Sequence, residues 1–504
     1  MQVSNMRMSM AVIAMTLGCG GAMSSSGDPE EPEPEAPPLP WARADVRYQV
    51  SSPRTALSGA TILTGAGAPI EDGVIVFENG RIVAVGDRSV ELPAGTDEID
   101  VSGKVITPGI IDTHSHMGVY ARPSIAAHWD GNEATDPVTA QVWAGDSFWP
   151  QDPALTRALA GGVTTILVLP GSANLIGGRG AILKLHLGRT VSDMLFPNAP
   201  DTLKMACGEN PKRVYGERLN SFPSTRMGSI AGIRGAFQEA QEYLRSYRDW
   251  QHEHRLWQGK RARFEAAEAN EAEEGDDEAE DPGPAPSPPD RDFGLEALVG
   301  AMEGRVLVQM HCYRADEMLR MLEVADEFGF RIRAFHHAVE AYKIRDVLAE
   351  RQVGVSTWAD WWGFKLEAFD AIEENLALLE EAGVMAVMHS DSPELIQRLN
   401  QEAAKAMTSG QRAGVSVGED AALRWITRNA AWTLGIDEQT GTLEAGKMAD
   451  VVVWSQDPFS VYAHAERVYI DGLLAHHRDE PVSSTDFEVG QGADARSLSD
   501  EVAR

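Results

Sequence analysis

Cysteine is scarce in this chain. Three occur in 504 residues, Cys19, Cys207 and Cys312, which is too few for a disulfide framework. Basic side chains are also in short supply: 44 Lys and Arg stand against 76 Asp and Glu, a net charge of −32. Such a surface repels phosphates and excludes nucleic acid as a partner. The apolar stretch near the N-terminus, Met8 to Leu17, is too short to span a bilayer as a stable helix. Following Arg7, it reads as an export signal. What the chain does have is 43% hydrophobic residues, enough for a globular enzyme, and a length that calls for two or more domains. Part of the acidic excess is local: Glu265 to Asp281 reads as a solvated loop.

One stretch organises the rest: Thr107-Pro108-Gly109-Ile110-Ile111-Asp112-Thr113-His114-Ser115-His116. The apolar run Val105 to Ile111 predicts a short buried strand. Side chains alternate along a strand, so His114 and His116 point the same way at its exit. Two imidazoles on one face can share a metal; two polar residues at a strand end are the plainer alternative. Downstream, apolar strands alternate with helical stretches, the pattern of a parallel sheet with crossover helices. After the first, the candidates are Thr164–Leu169, Ala181–Leu185, Leu203–Cys207, Val306–Met310, Arg331–Phe335, Gly354–Thr357 and Met385–Met388. That makes eight, the count of a (β/α)8 TIM barrel, whose working residues sit at the C-terminal strand ends. His311, the pair His336-His337, and Asp391 fall at such ends. Between the fourth and fifth strands, Ile230 to Ala269 and the Pro282–Pro289 segment predict an inserted helix pair with a disordered tip. Short strands from Ala60 to Gly86, with a tight turn at Asn79-Gly80, and again from Gly441 to Gly472 are too few at either end for separate sheets. Both ends together should build one small β-sandwich.

The His-x-His strand end resembles the amidohydrolase superfamily of metal-dependent hydrolases. So does the closing run Gly441-Thr442-Leu443-Glu444-Ala445-Gly446-Lys447-Met448-Ala449-Asp450-Val451-Val452-Val453. The imidazolonepropionase-like and prolidase-like branches are nearest. The resemblance runs from Ala60 to His476 and implies that His114, His116, His311, His337 and Asp391 are ligands of one or two divalent ions, zinc being expected. His337 rather than His336 matches because a small residue follows it. A carboxylated Lys204 would bridge two ions; Glu209 is the alternative bridge and Lys184 a more remote one. The implied chemistry is hydrolysis of a C–N bond, in an amide or cyclic amide, by metal-activated hydroxide, with Asp391 as general base and then acid. A deaminase or deacetylase of the same fold, or a metal- or solute-binding lipoprotein without turnover, are the rival readings.

Other residues have two readings each. Tyr313 and Arg314 can meet a substrate carboxylate. Trp358, Trp361 and Trp362 wall the pocket or pack a loop. Gly177-Gly178-Arg179-Gly180 is a tight turn before the third strand rather than a phosphate loop. Cys207 and Cys312 are small core residues or soft ligands. Leu17-Gly18-Cys19-Gly20 resembles a bacterial lipoprotein cleavage site, although Thr16 stands where leucine is usual; plain secretion is the alternative. The expected organisation is a signal over 1–19, a disordered linker over 20–56, a sandwich from 57–106 and 434–480, a barrel over 107–433 with an insertion at 215–293, and a disordered tail over 481–504. The chain should work in the periplasm or cell envelope on a small molecule, touching membrane only through a lipid on Cys19, with homo-oligomerisation open.

Overall fold

The computed structural model describes residues 49–270 and 280–480. The expected signal, Cys19, most of the linker, the acidic tip and the C-terminal tail lie outside the described residues. Among the described residues no helix is long and apolar enough to cross a membrane. These residues fall into two compact units.

In the larger unit the first sheet takes strands from both chain ends. They are β1 (Thr55–Ile62), β2 (Ile70–Glu78), β3 (Arg81–Gly86), β4 (Asp97–Asp100) and β5 (Val105–Pro108) from the front. The eight barrel strands follow: β6 (Ile110–Ser115), β7 (Val163–Val168), β8 (Ile176–Lys184), β9 (Asp201–Ala206), β10 (Val306–Cys312), β11 (Ile332–His337), β12 (Gly354–Thr357) and β13 (Ala386–Met388). Then β14 (Val451–Trp454), β15 (Ala465–Ile470) and β16 (Leu473–His477) return to the first sheet. Its order is β16-β15-β14-β5-β1-β2-β3, with β4 on β1. Leu57, Ile75, Phe77, Ile106, Val451 and Tyr469 meet in one core, so the sheet curls round a shared interior, as expected of a sandwich. The hairpin turn at Asn79 (φ 50°) and Gly80 (φ 79°) has the left-handed conformation that this pair tolerates.

The second sheet runs in the order β6 to β13 and forms the barrel. Beyond β13 the gap to β6 is bridged by the Asp391 N–H, which donates to the His114 carbonyl at 3.0 Å.

Four expectations about the fold need correction. Val105–Ile111 is two strands, not one: β5 pairs with β14 in the end sheet and β6 with β7 in the barrel. The break falls at Gly109, where a Cβ would lie 2.0 Å from Thr164 Oγ1. The third barrel strand is antiparallel to both neighbours. Only residues 169–175 separate β7 from β8, too few for the crossover that a parallel strand needs. The Gly177–Gly180 stretch is part of β8, with a bulge at Gly178 (φ 111°), and is not a turn before it.

The insertion is one continuous helix of 45 residues, Arg226–Asn270, rather than a helix pair. Its return segment is rich in proline, which lacks the N–H a helix requires. In the smaller unit the indoles of Trp250 and Trp257, on the distal part of this helix, donate to the carbonyls of Pro286 and Gly283 at 3.0 and 2.9 Å.

Candidate active site

The C-terminal ends of β6, β9, β10, β11 and β13 converge on a buried cluster of imidazoles, one lysine and one carboxylate. His114 ends β6 and is fully buried. Its ring lies 5.0 Å from that of His116 and 4.7 Å from that of His337, so the same-face expectation from the His-x-His spacing holds. His116 Nδ1 lies 2.8 Å from the Leu169 carbonyl. A carbonyl can only accept, so Nδ1 carries a proton. The Nε2 of a neutral His116 then shows a lone pair to Asp391 Oδ1, 3.2 Å away. A cation between them, or a shared proton, satisfies that pair.

Asp391 also lies 3.7 Å from His114 Nε2 and 3.9 Å from His337 Nδ1. Burial pushes its carboxyl up, but the hydrogen bond with His116 and the neighbouring His116, His389 and Lys204 outweigh this and hold it below the usual value. His311 Nδ1 lies 2.8 Å from Ser172 Oγ, and donating its proton there leaves Nε2 bare. Its Nε2 is buried without a hydrogen-bond partner, as are Nδ1 of His337 and Nδ1 of His389. Burial depresses His114, His311 and His337 far below the ordinary imidazole range and His389 to about 4. All are therefore neutral; Nε2 of His389 accepts from the His337 backbone N–H at 3.2 Å, which puts its proton on Nδ1, while the other three have lone pairs to give. His337 (φ 70°), Ala338 (φ 38°) and Asp391 (φ 51°) hold left-handed backbones, strain that non-glycine residues keep only where the surroundings impose it.

Lys204, on β9, is fully buried, and its Nζ lies 3.0 Å from the Pro170 carbonyl and 3.5 Å from His114 Nε2. Burial brings it down to about 7. Glu209 faces elsewhere: its carboxylate lies 3.9 Å from Arg213 and 4.0 Å from Lys365, beside a cavity of about 730 Å3 that Arg314 also lines. Arg314 pairs with Asp316. Tyr313 does reach the cluster, stacked on His337 at 5.2 Å. Trp358 stacks on His337 at 4.5 Å and on Trp361 at 4.7 Å, while Trp362 is exposed. Lys184 is not near this cluster. Because β8 is antiparallel, it sits at the opposite barrel end, paired with Asp450 and Asp471 at 3.0 and 2.6 Å.

The cysteines are a further correction. Cys207 and Cys312 form a disulfide, with Cα atoms 5.2 Å apart, and so are neither thiol core residues nor ligands. They lie on neighbouring strand ends that are 105 residues apart in the chain, a proximity that spacing does not reveal.

Three contributors, His389, Asp112 and Gln309, were not singled out from the sequence, and a fourth, His336, was set aside there in favour of His337. His389 joins His114 and His337 in a set whose ligand atoms lie within 4.8 Å of one another; His114, His116 and Asp391 make a second such set. Asp112 accepts from the backbone N–H groups of His114 and Ser390, both at 3.1 Å, and from the Ser390 hydroxyl, tying β6 to the segment that carries Asp391. Burial lifts its carboxyl to about 7. Gln309 and His336 lie immediately behind His114. The alternation of β10 offered a signal for Gln309: it shares a face with His311.

Fold and cluster together define a barrel protein with a histidine-rich centre of the kind that holds a metal. The family model of the amidohydrolase family matches residues 335–475. An amidohydrolase from Thermotoga maritima, solved as a crystal structure, is 35% identical, superposes with a TM-score of 0.71, and is covered over 100% of its length by 84% of this chain. An amidohydrolase of Hapsidospora irregularis is 34% identical over 428 residues, 81% of this chain, but the chain spans only 40% of that protein. A 5-methylthioadenosine/S-adenosylhomocysteine deaminase of Bacillus cereus is 23% identical over 79% of this chain and 85% of its own length. The chain belongs to the amidohydrolase family.

Proposed function

We propose that this chain is a metal-dependent hydrolase that cleaves a C–N bond, in an amide or cyclic amide, of a small molecule. The observation that carries the reading is the set of buried, neutral nitrogens left without protein partners: Nε2 of His311 and Nδ1 of His337, beside the His116–Asp391 pair. Leaving such groups unpaired costs about 1–3 kcal/mol each, and a cation removes that cost. The residues that would hold it are His114, His116, His311, His337 and Asp391, with zinc favoured by the imidazole-rich donor set. When bound, such an ion acidifies water to a pKa of about 7 and polarises a carbonyl.

The protein's own groups do the rest. Lys204 is neutral enough near pH 7 to add to carbon dioxide, forming a carbamate and releasing one proton. The amine, a poor ligand beside His114, thereby becomes an anionic one. Glu209, committed to Arg213 and Lys365, is the weaker candidate for that bridge. Asp391 takes the proton of the attacking water and delivers it to the departing nitrogen. Tyr313 and Trp358 cover the face of His337 and keep bulk water from that side.

Deamination is a second reading, favoured by the length over which the Bacillus cereus deaminase aligns. A screen of the zinc-loaded protein against N-acyl amino acids, dipeptides, cyclic amides and adenine nucleosides separates the readings. We expect turnover of an amide. Ammonia from nucleosides alone favours the deaminase, and bound metal without turnover of any of them leaves a binding protein. We further infer export, because a disulfide at the barrel rim suits an oxidising compartment; finding the chain in a cytosolic fraction with free thiols counts against it.

A further inference from the structure

Two adjacent histidines end β11, and only His337 faces the set of unpaired nitrogens. His336 is buried just as fully but turns the other way, into a chain of hydrogen bonds. That chain begins at the Thr433 carbonyl in the last turn of the helix Arg428–Leu434, one of the carbonyls that a helix end leaves without an internal partner. It can only accept. Gln309 Nε2 donates to it at 3.1 Å, which fixes the amide orientation and turns Oε1 to His336. Oε1 can only accept, so His336 Nε2, 2.7 Å away, carries a proton. A neutral His336 then has a bare Nδ1, and the ring nitrogen facing it at 2.9 Å is Nδ1 of His114, which must donate. The only place left for the lone pair of His114 is Nε2, the atom nearest Lys204 and Asp391.

We propose that Gln309 and His336 are positioning residues that hold the proton of His114 on Nδ1 and so keep its Nε2 bare for a metal. The proposal rests on the reading of His114 as a ligand. Every member is buried and every direction is set by an obligate acceptor, so the relay has no second arrangement that keeps all its bonds. Neighbouring strands supply it, since His311 pairs with His336 in the β10–β11 register and Gln309 precedes His311 by two.

Metal-free protein titrated with Zn2+ against a chromophoric chelator tests the relay. Gln309→Met removes the acceptor at nearly constant volume and should weaken Zn2+ binding roughly 10- to 100-fold. In Gln309→Glu the neutral acid can still donate to Thr433 and accept from His336, so it should restore affinity to within about threefold. A merely space-filling Gln309 predicts the opposite ranking, because methionine packs better than a buried acid. Wild-type-like binding by Gln309→Met, when His114→Ala has lost the ion, overturns the relay. Wild-type-like binding by His114→Ala instead overturns the ligand reading beneath it. Should the variants not fold, long-range 1H–15N correlation on wild-type protein labelled at histidine reads the tautomers directly. We expect the proton on Nε2 of His336 and on Nδ1 of His114; a proton on Nδ1 of His336 overturns the proposal.

Discussion

At the scale of single residues, location reverses what composition suggests. Lys204 is a cation by type, yet it sits fully buried among imidazoles with one carbonyl as its close partner. Burial removes the water that would stabilise its charge, and a neutral amine is the form that takes up carbon dioxide. Native mass spectrometry should therefore show wild-type protein heavier by one carbon dioxide than Lys204→Met, after correction for the substitution. Equal masses would remove the bridge. Asp391 is the opposite case, a half-buried acid whose burial is outweighed by its hydrogen bond with His116 and by the neighbouring His389 and Lys204, which hold it below the usual value. Asp391→Asn preserves the shape and one ligand oxygen but not the base. Turnover should fall roughly 10²- to 10⁴-fold with metal content retained by elemental analysis. An active variant would take proton transfer away from this residue.

At the scale of elements, the reversed strand β8 does two jobs. At its start, the bulge at Gly178 lets the backbone approach Val142, where a Cβ would lie 2.4 Å from Cγ2. At its end it delivers Lys184 to Asp450 and Asp471, which flank β14 and β15, pinning barrel to sandwich through a pair shielded from water. Breaking a buried pair strands the remaining charges. Lys184→Met should lose about 3–5 kcal/mol in urea unfolding, and adding Asp450→Asn should recover part of it. No loss would mean that the ion pair adds nothing. The strand also shows what the sequence could carry. Its position was legible in the apolar run Ala181–Leu185, because burial is written in residue type. Its direction was not, because alternation is the same read either way; only the brevity of residues 169–175 encoded it. His114, His116, His311, His337 and Asp391 were legible because strand exits are local features. Gln309–His336–His114 and Cys207–Cys312 were not, because each depends on which strands become neighbours.

At the scale of the whole molecule, the question is why a barrel tolerates a long excursion between its fourth and fifth strands. Those strands pair directly, Val306 to His311 against Asp201 to Ala206, and the disulfide Cys207–Cys312 clamps their C-terminal ends, where the excursion leaves β9. Removing the clamp by Cys207→Ala with Cys312→Ala should lower stability by about 2–5 kcal/mol, read from chemical denaturation. The described distal residues of the excursion, 249–270 and 280–288, belong to the smaller of the two compact units. Just before them, the Tyr247 hydroxyl donates to the Pro289 carbonyl at 3.0 Å, so the two ends of that stretch already meet. Loop-closure entropy grows only slowly with length, about 0.6 kcal/mol per doubling, so the barrel gains little from shortening and loses little from length. Replacing residues 249–288 by a short Gly-Ser linker should then leave the thermal midpoint within about 4 °C of the full chain, with metal uptake intact. A midpoint that collapses, or a barrel that no longer binds metal, would mean that the excursion is part of the folding unit and that strand pairing and the clamp do not suffice to close the barrel.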